Sequence, residues 1–407
     1  MKTADTFDLR RTLLLELFQT GLARVNGRRC VSAALSGVEP TSPVWVAAIG
    51  KAATAMALGA RDALGAAIER TLIITRDPED LCGFAGGAGP EVWLGSHPVP
   101  DERSLAAGAR LLAWVEELPP SAWPLFLISG GASSLVEVPA AGATLEDLAA
   151  LTRLSFTSGM AIGELNARRA ALSRIKGGRL AARLAGRRAR ALFVSDVPHD
   201  DPRVIGSGLM GPDPGGADNI ERTVVASIDH AAAAVAAHAA QLGLTVHAPH
   251  ERFAGSAVRL GARFAHELHL GVAQLCVWGG ESTVELPPQP GRGGRNQHLA
   301  LTAARLIAGH SELLLLAAGT DGSDGVTEDA GGLVDGESCA RIALAQLEAD
   351  ECLARADSAR ALAASGDLVH TGPTGTNVGD LVIGLKLTAE DAGILARRHD
   401  GRRQRVL

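Results

Sequence analysis

Lysine is almost missing from this chain: Lys2, Lys51, Lys176 and Lys386 are its four copies, and arginine takes most other positive positions. A bias that touches the whole chain is compositional, but it makes the lysine at Gly50-Lys51 stand out. Cysteine is sparse too. Cys30, Cys82, Cys276, Cys339 and Cys352 are odd in number and lack CxxC spacing, which leaves zinc knuckles, thioredoxin chemistry and a disulfide framework without support. They read as small apolar core residues in a reducing cytoplasm. No uninterrupted apolar run reaches the ~20 residues of a membrane span. Met1 to Arg11 mixes Lys, Asp and Arg and has no apolar signal region. The expectation is a cytoplasmic protein with no membrane partner. Excess positive charge is lacking as well: the net charge of −6 argues against a nucleic-acid partner, and the basic stretch Arg179 to Arg190 reads as a solvated helix face.

Familiar catalytic signatures are also missing. There is no Walker A sequence, since Ala52 follows Gly50-Lys51 where Ser or Thr is needed. The protein-kinase HRD and DFG set, GxSxG and HExxH are absent. One literal GxGxxG occurs at Gly206, Gly208 and Gly211, but Pro212-Asp213-Pro214 follows it, and the motif needs a strand–turn–helix context. It reads as a chance match. His97, His199 and His298 have no partners at metal-ligand spacing and read as loop or cap residues.

What is present suits a two-domain α/β protein. A length of 407 residues implies about two or three domains. Short apolar runs at Val44–Ile49, Thr71–Ile74, Val92–Leu94, Leu125–Ile128 and Ala191–Val194 alternate with helical segments. Continuous apolar strands between helices predict a parallel sheet covered on both faces, a Rossmann-like arrangement. An alanine-rich helix over 227–242 leads into a second α/β unit, with strands at Leu244–His247, Leu275–Trp278, Leu313–Leu316 and Leu381–Leu385. The boundary is placed near 240, giving domains of 1–240 and 241–407.

Ligands of such sheets sit beyond the carboxyl ends of the strands. That rule selects Gly50-Lys51, Ser129-Gly130-Gly131-Ala132-Ser133-Ser134, Ser195-Asp196, Gly279-Gly280-Glu281 and Gly319-Thr320-Asp321-Gly322-Ser323-Asp324-Gly325, with Thr371 to Asn377 preceding a strand. The richest segment runs from Gly279 to Gln297. Glycines there sit with Arg292 and Arg295 at the entry to an expected helix, His298 to Ala308. Glycine allows close backbone approach, a helix start offers N–H donors, and arginine adds a planar fork, so the segment predicts an anion site with phosphate as the ligand. Several such loops in two domains predict a polyphosphate and a second anionic substrate held in an interdomain cleft.

Taken together, these segments resemble the class II glycerate 2-kinases, whose N-terminal Rossmann-like domain precedes a C-terminal MOFRL domain. The residues that carry the resemblance are Gly50-Lys51-Ala52, His97-Pro98-Val99-Pro100-Asp101, Ser129 to Ser134, Leu165-Asn166, Lys176-Gly177-Gly178, Ser195-Asp196-Val197-Pro198, Gly279-Gly280-Glu281, Gly291 to Gln297, Gly319-Thr320-Asp321-Gly322 and Thr371 to Val378. They span nearly the whole chain in order. Leu209-Met210-Gly211, His199 and Gly379 depart from the pattern without removing a charged group.

The resemblance implies transfer of a phosphoryl group from ATP, with Mg²⁺, to the 2-hydroxyl of D-glycerate; a homodimer is left open. Phosphoryl transfer rests on alignment and charge neutralisation. In that chemistry Lys51 can hold phosphate oxygens, and Arg295, preorganised by Gly293 and Gly294 and followed by Asn296, can stabilise developing charge. Asp196 can orient or deprotonate the attacking hydroxyl, or serve as a turn cap. Gly50, Ser129, Gly130, Gly131, Ser133, Ser134, Gly279, Gly280, Glu281 and Thr283 offer contacts to nucleotide or substrate. Asp321 and Asp324 are candidate Mg²⁺ contacts or Asx-turn residues, and Glu281 is a further metal candidate. Asn377 binds ligand or ties its loop down. Two other functions remain open: a hydroxypyruvate reductase using NAD(P)H, and a non-catalytic sugar-phosphate-binding protein.

Overall fold

The computed structural model describes residues 3–76, 84, 89–158, 162–212, 215–216, 219–388, 390–393 and 395. Cys82, Asp213 and Pro214 lie outside the described residues. The chain divides into two compact units, and a single cut does not separate them. One comprises 25–227 with 375–378; the other comprises 1–24, 228–374 and 379–407.

The first unit is built on a six-stranded sheet: β1 (Val44–Ile49), β2 (Ile68–Thr75), β3 (Glu91–Leu94), β4 (Trp123–Ile128), β5 (Ala189–Val194) and β6 (Ile220–Ala226). Every adjacent pair runs parallel, in the order β3-β2-β1-β4-β5-β6. All six residues of β1 are buried, as a central parallel strand covered on both faces requires. The chain order reverses between β1 and β4, so their carboxyl ends flank the crevice where such sheets bind ligands. The helices of this unit are α2 (Gly27–Leu35), α3 (Ala53–Leu64), α4 (Glu102–Glu116), the single turn α5 (Ala132–Leu135), α6 (Leu145–Ser158), α7 (Ile162–Ala171) and the short α8 (Arg179–Ala182). Helix α4 opens with a capping box between Asp101 and Ser104. Trp114 on α4 packs against Trp45 and Phe126 of the sheet, with ring centroids 5.6 and 5.8 Å apart, in a core continuous across this face.

The second unit is built on a mixed seven-stranded sheet. Its strands are β7 (Val246–His247), β8 (Phe253–Ser256), β9 (Leu275–Thr283), β10 (Leu313–Gly319), β11 (Gly331–Asp335), β12 (Leu368–Val369) and β13 (Asp380–Lys386). Strand β13 lies antiparallel between β9 and β10, while β7 and β8 pair in parallel with β9. Helices α9 (Ile228–Gln241), α10 (Ala257–Leu270) and α11 (Arg295–Leu306) belong to this unit, as does α1 (Thr3–Val25). Side chains of α1 explain its place: Arg10 donates to the Leu387 carbonyl at 3.1 Å, and Arg11 pairs with buried Asp335 and Asp367 at 2.7 and 2.9 Å. Among the described residues, no helix is long and apolar enough to cross a membrane.

Candidate active site

The β1 and β4 exits are stitched together by backbone. Ser129 N donates to Ile49 O at 2.9 Å, Lys51 N to Gly130 O at 2.9 Å, and Ala52 N to the buried Ser129 hydroxyl at 3.0 Å. Glycine is needed at 50, where φ is 130° and a side chain would run into Ser129. Lys51 is therefore held between the end of β1 and the start of α3, at the positive end of a helix dipole. A side chain on Gly131 would lie 3.2 Å from both His97 and Lys51, so those side chains converge on this turn.

Asp196 leaves β5 on the same side. Its Oδ2 accepts from Asn377 Nδ2 at 3.1 Å. A side chain at Gly130 would collide with that amide and that carboxylate together, so both lie directly over the Gly130 backbone. Asn377 arrives on the short 375–378 excursion, which is docked in this unit by the bond from Gly27 N to Gly375 O, 2.9 Å long. The structure thus brings Gly50, Lys51, Ser129, Gly130, Gly131, Asp196 and Asn377 into one neighbourhood, and adds His97. Ser133 belongs to a hydroxyl chain: Ser207 Oγ lies 2.9 Å from Ser133 Oγ and 2.8 Å from Asn166 Oδ1. Ser134 turns back to donate to Gly131 O at 3.3 Å.

Beneath α5 lies Lys176, fully buried, with Nζ donating to Ala132 O at 3.1 Å and Val136 O at 2.8 Å. Burial pulls its pKa down to about 8, against the attraction of Glu137, while Arg169 lowers it further. Glu137, also buried, is pushed above the usual carboxylate range by desolvation, with Lys176 opposing. This ammonium caps the carbonyl end of the turn that carries Ser133 and Ser134. In the sequence it stands out as a lysine in a chain that has few and as part of the Lys176-Gly177-Gly178 segment.

The candidates of the second unit are arranged differently from the expectation. Gly279 and Gly280 do not leave the strand; β9 continues through them to Thr283. They are glycine because neighbours press on them: a side chain at 279 would sit 2.6 Å from Ile228, and one at 280 would meet the Phe253 backbone on β8. The start of α11 is occupied too. Asp324 is 2% exposed and accepts from Asn296 N at 3.1 Å and Gln297 N at 2.8 Å. Gly294 is glycine to admit it, and Gly293, at φ 155°, to clear Ser358. The helix N-terminus that the sequence marked for an outside phosphate is filled by the protein's own carboxylate.

Arg295 is likewise engaged. Its Nε and Nη2 hold Asp380 in a fork at 2.7 and 3.0 Å, and Nη1 meets Glu281 at 2.6 Å. Burial alone would lower its pKa, but Asp380 and Glu281 outweigh burial and raise it. Asn296 Nδ2 adds a 3.0 Å bond to Asp380, whose side chain is fully buried. Burial pushes Asp324 up to about 7, with the Gln297 and Asn296 N–H groups opposing. Asp321 accepts from Ser323 N at 3.0 Å, closing an Asx turn. Among the described residues, no group of three or more His, Cys, Asp or Glu side chains is arranged to hold a metal ion. Asp321 adopts the Asx-turn role that the sequence left open, whereas Asp324 caps the start of α11 instead. Asp380, which anchors Arg295, was not singled out from the sequence; an Asp opening a buried strand is the signal that was available.

The literal GxGxxG falls in tight turns, with Gly206 and Gly208 at φ 58° and 71°, and it does not bridge a strand to a helix.

Residues 13–242 match the family described as a domain of unknown function, DUF4147, and residues 274–380 match the MOFRL family. D-glycerate 2-kinase of Thermotoga maritima is 33% identical across 92% of this chain and 98% of its own. A chain of Agrobacterium vitis with the provisional name hydroxypyruvate reductase is 37% identical over 70% of this chain and 85% of its own. A crystal structure of glycerate kinase from Thermotoga maritima superposes with a TM-score of 0.82 at 32% identity, covering 92% of this chain and 99% of that one. These glycerate kinases are similar to the chain over nearly their whole length, and the chain is a member of the DUF4147–MOFRL family.

Proposed function

We infer that this protein is a phosphotransferase that moves the terminal phosphoryl group of ATP to the 2-hydroxyl of D-glycerate. The observation that carries this reading is the meeting of a cation and a carboxylate, Lys51 and Asp196, around one glycine turn at the point where the strand order reverses. Lys51 neutralises phosphoryl oxygens, and backbone N–H groups of the Gly130-Gly131 turn and the Ser133 hydroxyl hold anionic oxygens beside it. Asp196 takes the proton of the attacking hydroxyl, and no covalent enzyme intermediate is needed. Mg²⁺ belongs to this reading as the counter-ion of the nucleotide phosphates, where few protein ligands are needed.

Full-length similarity to a D-glycerate 2-kinase supports the same reaction. The reductase alternative shares the sheet order of dinucleotide-binding domains but lacks their glycine fingerprint: β1 reaches α3 through Gly50-Lys51-Ala52. The test is ADP release with ATP, Mg²⁺ and D-glycerate, run beside NAD(P)H oxidation with hydroxypyruvate. Glycerate-dependent ADP release supports the kinase. Cofactor oxidation without ADP release overturns it.

A further inference from the structure

Away from the β1 and β4 exits, the parallel-sheet unit has a groove of about 700 Å³ lined by Arg174, Arg179, Arg183, Ser173, Ala140 and Ala171 among others. It shares no lining residue with the candidate active site. Its size falls in the range of small-molecule sites. A short antiparallel contact fixes its walls: Ala140 N donates to Leu172 O and Arg174 N to Val138 O, both at 2.8 Å. The alanines leave room between them.

The charge in this groove is unbalanced. Elsewhere on this unit several exposed arginines are matched to acids: Arg28 with Asp62, Arg70 with Glu117, Arg168 with Glu164 and Arg203 with Asp201. Among the described residues, Arg174, Arg179 and Arg183 form no ion pair, and no carboxylate lines the groove. The chain as a whole carries net charge −6, so acids are not scarce. Arg179 is also held in place. Its Nη1 donates to the carbonyls of Ala170 and Ser173, the latter at 3.2 Å. Carbonyls fix the guanidinium without cancelling its charge, so part of the ordering cost of binding is already met. A fixed fork with two further guanidinium groups beside it suits a ligand carrying several anionic oxygens, and arginine reads phosphate and carboxylate by the same geometry.

We propose that the Arg174–Arg179–Arg183 groove is a second binding site, taking a small, multiply charged oxyanion that bears several phosphate or carboxylate groups. The site is independent of the reaction at the strand exits.

The test is titration calorimetry on the full chain with inorganic triphosphate and, in a separate arm, citrate, each at low and at physiological salt. The variants are R174A/R183A, which spares the backbone-anchored Arg179, and Lys51→Ala, which weakens any binding at the strand exits. The expected result is saturable binding of at least one probe that weakens with salt, is lost by about tenfold or more in R174A/R183A, and persists in the Lys51 variant. Preference for triphosphate or for citrate assigns the ligand to phosphates or carboxylates. No saturable binding of either probe, equal binding by R174A/R183A, or loss only in the Lys51 variant overturns the proposal.

Discussion

Replacing Lys176 by Met tests how the candidate loop is supported. The ammonium is fully buried, and burial moves its pKa from 10.5 to about 8, a change that corresponds to about 3 kcal/mol spent on keeping it charged at neutral pH. Methionine removes that cost and fills similar volume. It also strips the carbonyls of Ala132 and Val136 of their donor, at about 1–3 kcal/mol each, and takes from buried Glu137 the larger of two cationic attractions, leaving that of Arg169. The losses outweigh the gain, so Lys176→Met is expected to be less stable by about 2 kcal/mol at pH 7, read as a lower urea midpoint. Adding Glu137→Gln should recover part of the loss, because the two groups are coupled.

The pH dependence gives an independent signature of this lysine. Between pH 8 and 10.5 the unfolded chain keeps a proton that the folded chain has released. The contribution of Lys176 to stability therefore rises with pH across that window, and below pH 8 its cost is felt in full. The variant should lack this rise. A variant as stable as the parent at pH 7, or one with the same alkaline profile, would refute the reasoning.

Other perturbations follow from the same geometry. Asp196→Asn should lower turnover by roughly 10²–10⁴-fold with an unchanged melting temperature, if the carboxylate moves the hydroxyl proton; a loss under tenfold contradicts that role. Gly130→Ala puts a methyl group into Asp196 and Asn377 and should cost about 100-fold in turnover by displacing them, while circular dichroism stays unchanged; near-normal activity contradicts the placement. Arg295→Ala leaves buried Asp380 without its fork and should destabilise the chain by roughly 3 kcal/mol, visible as a lower melting temperature. Loss of turnover at an unchanged melting temperature would instead make Arg295 a purely catalytic group.

Strands β1, β4 and β5 were legible because buried parallel strands are apolar throughout, and their glycine-rich exits marked Lys51, Ser129 to Gly131 and Asp196. Strand β6 was missed because its sequence, Ile-Glu-Arg-Thr-Val-Val-Ala, mixes charge into a half-buried edge. Strand β11 was missed because it opens with two glycines, which read as a turn. The sequence reads Gly279 and Gly280 as a strand exit, whereas packing by Ile228 and Phe253 demands them inside β9. Local sequence cannot reveal which group fills a helix start: Asp324 reaches α11 from a later loop. Nor does it show that Asn377 meets Asp196, or that α1 packs with the second unit through Arg10 and Arg11. His97, read as a loop histidine, stands beside the Gly131 turn. Such long-range pairings decide the detail of the site, while the pattern of strands and glycines decides where it lies.

Phosphorus NMR of a reaction with ATP, Mg²⁺ and D-glycerate, run with the parent chain and with Lys51→Ala, reads out both the phosphorylated hydroxyl and the part played by the β1 exit. The parent is expected to give 2-phosphoglycerate and ADP, and the variant a rate lower by about 100-fold or more, as when a preorganised donor to developing charge is removed. A 3-phosphoglycerate product would contradict the assigned hydroxyl, and equal rates from the two proteins would contradict the placement of the reaction at the β1 exit.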